Sequence, residues 1–464
     1  MFTPDWGYSD HPPMVGWLIA LMRATLGDSV WSIRLPAVLL PLALGAALWW
    51  ALKPVDKVRA AWAVLFFWLA PLNWLNTLIT TDTPLIFWST LSVAALLHAE
   101  RREQQGRAAY GLYALSGLFL GCAFLSKYFS VVLGLTYLVY FALYRRQRLA
   151  GFALLVLCAL PGPAINIAYN MSHGWSNIMF NLYNRNEDAA FEWRKPLMYV
   201  GMMAYLITPV ALWLAFKYRK ALVATASAQR LLACLVVVPL LFFALLSAKK
   251  VIGLHWVLSF YPFGFAYLAF ALPLETLKTC AKGLALFAGL HVLVVAGLYM
   301  TTLDTWKTSK IYPQIIRSYK TAEIVKQVSS PGVVLMAEAY TPAAIYGFEL
   351  RQYMPVFGVG KFHARQDDAL VDFSLYQGKT IRIILSESPK LQEFAPYFES
   401  VKVLSFTQSG VPFYAVEGTG FNYQAYREGV LGTIFKRFYN IPSVLPMTGC
   451  PFCERYCGQV RCPR

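Results

Sequence analysis

Residues 101–148 read RREQQGRAAYGLYALSGLFLGCAFLSKYFSVVLGLTYLVYFALYRRQR. Two apolar runs, near 108–125 and 129–144, are separated only by Ser126-Lys127-Tyr128. Runs of this length and apolarity read as membrane-spanning helices, and so short a join makes them an antiparallel hairpin. Arg101, Arg102 and Arg107 precede the hairpin, and Arg145, Arg146 and Arg148 follow it. Basic flanks of short loops are cytoplasmic, so the Ser126-Lys127-Tyr128 turn faces outward.

The same alternation extends over the first 300 positions. Further spans are expected near 30–52, 60–73, 84–99, 149–170, 196–216, 230–247, 254–273 and 283–302, about ten in all with the hairpin. Residues 14–26 form a stretch too short to span; with Trp17 and Arg23 it reads as an interfacial helix. Basic residues (Lys53, Lys57 and Arg59; Lys217, Arg219, Lys220 and Arg230; Lys278 and Lys282) recur in alternate loops. The intervening outward loops hold Tyr8-Ser9-Asp10-His11-Pro12-Pro13, Thr81-Asp82-Thr83-Pro84, Ser126-Lys127-Tyr128, His173-Gly174-Trp175 and Lys249-Lys250. Acids, bases and cations gathered at one membrane face point to a site built by many helices. Lys127, Lys249 and Lys250 stand against the charge bias of their side, which calls for an anionic partner.

Composition agrees with a polytopic helical membrane protein: of 464 residues 58% are hydrophobic and 14% charged, with a mean hydropathy of +0.48. The net charge of +17 does not indicate nucleic acid, because the excess Lys and Arg sit mostly in short loops between spans. The N-terminus has neither the basic nor the apolar region of a cleavable signal peptide. After residue 302 the apolar runs stop. Residues 332–336 and 381–385 read as buried strands, and 341–350 and 389–397 as helices, which gives a small α/β domain on the outer side. The expected division is a membrane domain over 1–303, an extracytoplasmic domain over 304–440 and a Cys-rich tail over 441–464.

Each motif has a structural and a chemical reading. Asp10 before two prolines either caps the interfacial helix or serves as general base or metal ligand. Asp82, two residues before Pro84, either caps a helix or contributes a second carboxylate. Lys127 either snorkels to the interface or binds phosphate as a compact point charge. His173-Gly174-Trp175 opens a polar loop, rich in Asn and carrying Arg185, long enough to bind a substrate. Lys249, Lys250 and His255 at headgroup depth suit a lipid phosphate. Partial burial of Lys127 and Lys250 would make their loss cost within about 1 kcal/mol of stability. Cys450, Cys453, Cys457 and Cys462 crowd the end of the chain; zinc, two disulfides or a non-native end of the reading frame are the open readings.

Taken in order, Tyr8-Ser9-Asp10-His11-Pro12-Pro13, Ile33-Arg34-Leu35-Pro36, Asp82-Thr83-Pro84-Leu85, Leu125-Ser126-Lys127-Tyr128 and His173-Gly174-Trp175 resemble bacterial membrane glycosyltransferases of the GT-C class. The pattern is similar to that of the dolichyl-phosphate-mannose protein mannosyltransferase-like family (glycosyltransferase 39/83 type), to which the lipid A aminoarabinose transferase is related. The resemblance covers about residues 5–260, and more weakly Ala337-Glu338-Ala339-Tyr340 and Arg365-Gln366-Asp367. It implies a mainly α GT-C-type bundle in the bacterial plasma membrane, carrying a small α/β extracytoplasmic domain. It implies transfer of a sugar from a polyprenyl-phosphate donor to a lipid or protein acceptor, with a divalent metal as the one cofactor to consider. By matching motif positions, Asp10 and Asp82 would be catalytic, with Asp10 the metal ligand. His11, Lys127 and Lys250 would bind the donor phosphate, and Tyr8, His173 and Arg185 the substrate. The family also has an Asp-Glu type acid after its first membrane helix, upstream of the Tyr-x-Asp-His-Pro-Pro element. This sequence begins only a few residues before Tyr8, so that acid is expected outside it. The rival readings are a lipid-linked sugar transporter and an inactive fragment.

Overall fold

The computed structural model describes residues 4–71, 73, 78–184, 191–360 and 366–460. Its membrane part runs through α1 (Met14–Leu26), α2 (Val30–Leu52), α3 (Lys57–Leu69), α4 (Asp82–Gln104), α5 (Tyr110–Ser126), α6 (Ser130–Tyr144), α7 (Leu149–Ala159) and α8 (Pro161–Ser172). It continues with α9 (Arg194–Ile207), α10 (Pro209–Lys217), α11 (Arg219–Ala228), α12 (Arg230–Ser247), α13 (Tyr261–Ala271) and α14 (Leu274–Met300). Local chemistry sets the starts of several of these helices. Ser29 and Ser32 cap α2 reciprocally, and the Asp56 side chain accepts the Arg59 amide at the start of α3.

Among the described residues, four helices are long and apolar enough to cross a membrane: Val30–Leu52, Arg146–Ser172 (α7 and α8 as one), Arg230–Ser247 and Leu274–Met300. The pair α9 and α10 makes a fifth if counted as one span, but it bends by 93°. The unbroken span expected over 196–216 is therefore corrected. Thr208 adopts φ 73°, ψ 148° between the halves, and Pro209 begins the second. The span expected over 254–273 is shortened: a 3-10 turn, Leu254–Val257, precedes the eleven-residue α13. Both helices of the hairpin form, but at 17 and 15 residues they are shorter than the spans read from the sequence and fall outside the four helices long enough to cross. The protein is a multi-pass membrane protein with a mainly helical fold.

Close backbone approach packs α5 onto the following helices. A Cβ at Gly117 would sit 2.0 Å from the Leu155 carbonyl oxygen, and one at Gly121 2.9 Å from that of Ala159. Small residues allow such approach where dispersion and hydrogen bonding, rather than water exclusion, drive association. This contact brings the polar end of α8 beside the outer end of α5.

The C-terminal region adds α15 (Tyr312–Tyr319), α16 (Thr321–Val328), β1 (Val333–Ala337), α17 (Tyr340–Leu350), β2 (Thr380–Leu385), β3 (Ser400–Gln408), β4 (Val411–Thr419), α18 (Gly432–Phe438) and α19 (Pro451–Cys457). The sheet order is β1-β2-β4-β3, with β1 and β2 parallel and the other pairs antiparallel. Both expected strands and the helix over 341–350 are found. The helix expected over 389–397 is instead two 3-10 turns, Leu391–Glu393 and Ala395–Tyr397; Pro396 removes the amide a longer helix would need. The β3–β4 hairpin was not anticipated. Ser409 and Gly410, both with positive φ, make its two-residue turn. The Cys-rich end is folded: Cys450 and Cys453 form a disulfide and are buried with Phe452 and Tyr456. Cys462 lies outside the described residues.

Candidate active site

The antiparallel packing of α4 and α5 puts the first residue of one beside the last of the other. Asp82 begins α4, Lys127 follows α5, and the Lys127 Nζ donates to both Asp82 carboxylate oxygens at 2.8 Å. Both residues are buried, Asp82 at 3% and Lys127 at 8% exposure. The capping reading of Asp82 falls, because the N-cap is Thr81 and no side chain caps the helix. The snorkelling reading of Lys127 falls for the same geometric reason. Its ammonium turns inward, where it also lies 5.4 Å from the centre of the Phe129 ring.

This ion pair lies in the wall of a cavity of about 1130 Å³. His11, Lys249, Lys250 and His255 share the lining, together with Tyr128, Asn166, Asn181 and an apolar wall that includes Phe124, Val131, Ile167, Leu246 and Trp256. Of the sequence-derived candidates, His11, Asp82, Lys127 and Lys250 therefore meet in one space. Lys249 and His255 join them. The apolar wall makes the space amphipathic, as a site for a lipid headgroup and the start of its chain must be.

Asp10 lies beside this space and does not line it. Its carboxylate is half-exposed, with His11 Nε2 3.8 Å away, and its charge acts on the Tyr128 hydroxyl. It does not cap α1, whose N-cap, Pro13, has no side-chain hydrogen bond. Divalent cations take about six oxygen ligands. Among the described residues no group of three or more His, Cys, Asp or Glu could hold a metal ion. Asp10 with His11 therefore makes no closed cage of protein ligands for the metal considered from the sequence.

Tyr8 and His173 also lie off the lining. Tyr8 is buried, and its hydroxyl accepts the Asp5 amide at 3.2 Å. The His173 ring stacks on Tyr169 at 4.0 Å, with Nδ1 2.9 Å from Ser172 Oγ and Nε2 3.9 Å from an Asp5 carboxylate oxygen. Burial pushes its pKa below the ordinary histidine value, against the Tyr169 carbonyl and Asp5, which raise it. Arg185 lies outside the described residues.

An asparagine network went unread in the sequence. Asn166 Nδ2 donates to the Tyr128 hydroxyl at 2.7 Å, and that hydroxyl donates to Asn177 Oδ1. Asn177 Nδ2 holds the Tyr8 carbonyl at 2.7 Å, and Asn181 Nδ2 holds that of Asp10 at 3.1 Å. Asn can donate and accept at once, so such residues fix loops that lack regular structure. The one sequence signal was the abundance of Asn around His173. From the C-terminal region, Gln366 Oε1 accepts both the amide and the hydroxyl of Ser9 at 3.0 Å.

Residues 10–165, which contain Asp10, His11, Asp82 and Lys127, match the dolichyl-phosphate-mannose-protein mannosyltransferase family. No curated protein matches the chain. Two solved structures do, both of ArnT from Cupriavidus metallidurans. The apo form is 15% identical with a TM-score of 0.63, over 88% of each chain. The form bound to undecaprenyl phosphate is 14% identical with a TM-score of 0.61, over 89% of this chain and 90% of the other. At these identities the likeness is one of fold.

Proposed function

We propose that this GT-C-type membrane protein is a glycosyltransferase that moves a sugar from a polyprenyl-phosphate donor to a lipid or protein hydroxyl at the outer membrane face. The observation that carries the reading is the single amphipathic cavity in which a carboxylate–lysine pair meets two further lysines and two histidines. Lys249 and Lys250 line the same cavity as the Lys127–Asp82 pair and are the cations this reading assigns to the phosphate. The match of residues 10–165 to a mannosyltransferase family supports the reaction class, and a fold shared with a protein solved with undecaprenyl phosphate supports the donor class. The outward orientation rests on the basic loops and on the Cys450–Cys453 disulfide, a bond of oxidising compartments.

In the reaction the acceptor oxygen forms a bond to the anomeric carbon, while the bond from that carbon to the phosphate oxygen breaks. Polyprenyl phosphate leaves with the electron pair. Lys250, Lys249 and His255 stabilise the charge that grows on it. Asp82 is held by two hydrogen bonds from Lys127 and acts by fixing that ammonium at the cavity wall. Asp10, half-exposed beside the cavity, takes the acceptor proton.

The test is binding of undecaprenyl phosphate to the full chain in detergent micelles. Lys250→Ala is expected to weaken it by about ten- to a hundredfold, since a charge-assisted bond to phosphate contributes roughly 1.5–3 kcal/mol. Equal affinity for wild type and Lys250→Ala would overturn the phosphate assignment. Transport of a lipid-linked sugar is the second reading, favoured by the bent pair α9–α10. Yet the residues flanking that bend, Leu206 and Ile207, line a separate, apolar cavity with Leu235 and Phe265, which offers a sugar little to bind. Release of undecaprenyl phosphate from its glycosylated form, only when an acceptor is present, separates transfer from transport.

A further inference from the structure

The loop that carries Asp10 and His11 has no regular structure of its own, so something must hold it against the cavity. We propose that the Cys-stapled C-terminal segment, residues 446–457, is a clamp that positions this loop, with Arg455 and Gln366 as its positioning residues. The proposal rests on the functional reading above for what the loop does, but not for whether the loop is held.

One arm runs through Arg455. Its guanidinium donates to the carbonyls of Asp368, Ala369 and Val371 at 3.1, 3.0 and 2.8 Å. Arginine's planar fork suits such a grip on several carbonyls at once. The gripped turn directly follows Gln366, whose Oε1 accepts Ser9 twice. Tyr439 tightens the same turn: its hydroxyl donates to Asp368 Oδ2 at 3.1 Å, and its ring stacks on Phe452 at 4.4 Å.

The other arm reaches the His173-Gly174-Trp175 turn. The Gly174 amide donates to the Gly449 carbonyl at 3.1 Å, and the Trp175 indole donates to that of Pro446 at 2.7 Å. Thr448 and Gly449 donate back to the Met171 carbonyl at 2.9 and 3.2 Å. Cys450 is seated on this turn, since a Cβ at Gly174 would meet its sulfur at 2.9 Å. Two residues past Trp175, Asn177 holds the Tyr8 carbonyl. Both arms therefore end on the Tyr8-Ser9 segment. The Cys450–Cys453 bond ties the two arms together at their root.

Hydrogen exchange on the full chain in micelles tests this without substrate. Gln366→Ala and Arg455→Ala should each raise exchange at the Tyr8 and Ser9 amides by about tenfold, the scale of one or two lost hydrogen bonds. Exchange in β1, β2 and α4 should stay as in wild type, which distinguishes release of the loop from unfolding. Gln366→Glu keeps the acceptor oxygen and should restore protection to within about twofold of wild type. Undecaprenyl phosphate affinity should change less than about threefold in Gln366→Ala, because Lys249 and Lys250 lie on another element. Wild-type exchange at Ser9 in Gln366→Ala, or a Gln366→Glu variant no better than Gln366→Ala, would overturn the clamp. Should Arg455→Ala not fold, the Gln366 pair still decides. Failure of wild type to bind the lipid would sink the functional reading and leave the exchange result standing.

Discussion

Replacing Lys127 by Met would leave the Asp82 carboxylate buried without its cation. Removing one partner of a buried pair costs about 3–5 kcal/mol. The low end, about 3 kcal/mol, applies here, because the pair borders a cavity that admits water. That exceeds the cost of within about 1 kcal/mol expected when Lys127 was read as partly exposed. Two hydrogen bonds of 2.8 Å and the burial of both side chains make the difference. Asp82→Asn should cost a similar amount by stranding the ammonium. The double variant, Asp82→Asn with Lys127→Met, should cost less than either, since neither charge is then left alone. Specific unfolding entropies imply about 1 °C of midpoint shift per kcal/mol for a chain of this size. Thermal unfolding in one detergent should therefore give midpoints about 3 °C lower for each single variant, with partial recovery in the double. Single variants within about 1 °C of wild type, or a double variant that shows the sum of the two losses, would refute the buried pair.

Asp10→Asn should leave undecaprenyl phosphate binding within about twofold of wild type while lowering transfer by about 10²–10⁴-fold, the range of general base catalysis; loss of both together would make Asp10 a binding residue. Burial depresses the folded-state pKa of His173, so the unfolded chain takes up the proton first and stability falls as pH drops below the ordinary histidine value. His173→Asn should flatten the slope of the unfolding midpoint between about pH 7 and 5, and an unchanged slope would assign the effect elsewhere. Gly174→Ala places a methyl 2.9 Å from Cys450 Sγ at a φ of +61°, and a lower unfolding midpoint with greater protease cleavage in 446–457 should follow. A reporter active only outside the cytoplasm, fused after Asp304, should be active; activity of a cytoplasmic reporter alone would invert the topology.

Local composition determined much of this protein. Apolar runs bounded by arginines are a one-dimensional signal, so the α5–α6 hairpin could be read from residues 101–148. Polar chemistry is conspicuous in such an apolar chain, which is why His11, Asp82, Lys127 and Lys250, which share one cavity lining, could be picked out from the sequence. The β3–β4 hairpin carries only a short local signal, the two-residue turn Ser409-Gly410. Tertiary structure alone decided the roles. Asp82 is a partner of Lys127 rather than a cap, because two helices of opposite direction bring together residues 45 positions apart. Tyr8 and His173 turn away from the cavity, because the network of Asn177 and Tyr169 claims the loops that carry them. Ser9 meets Gln366 across 357 positions, and no local pattern encodes that contact. Hydrogen-bond partners are fixed by which surfaces pack, and packing is a property of the whole chain.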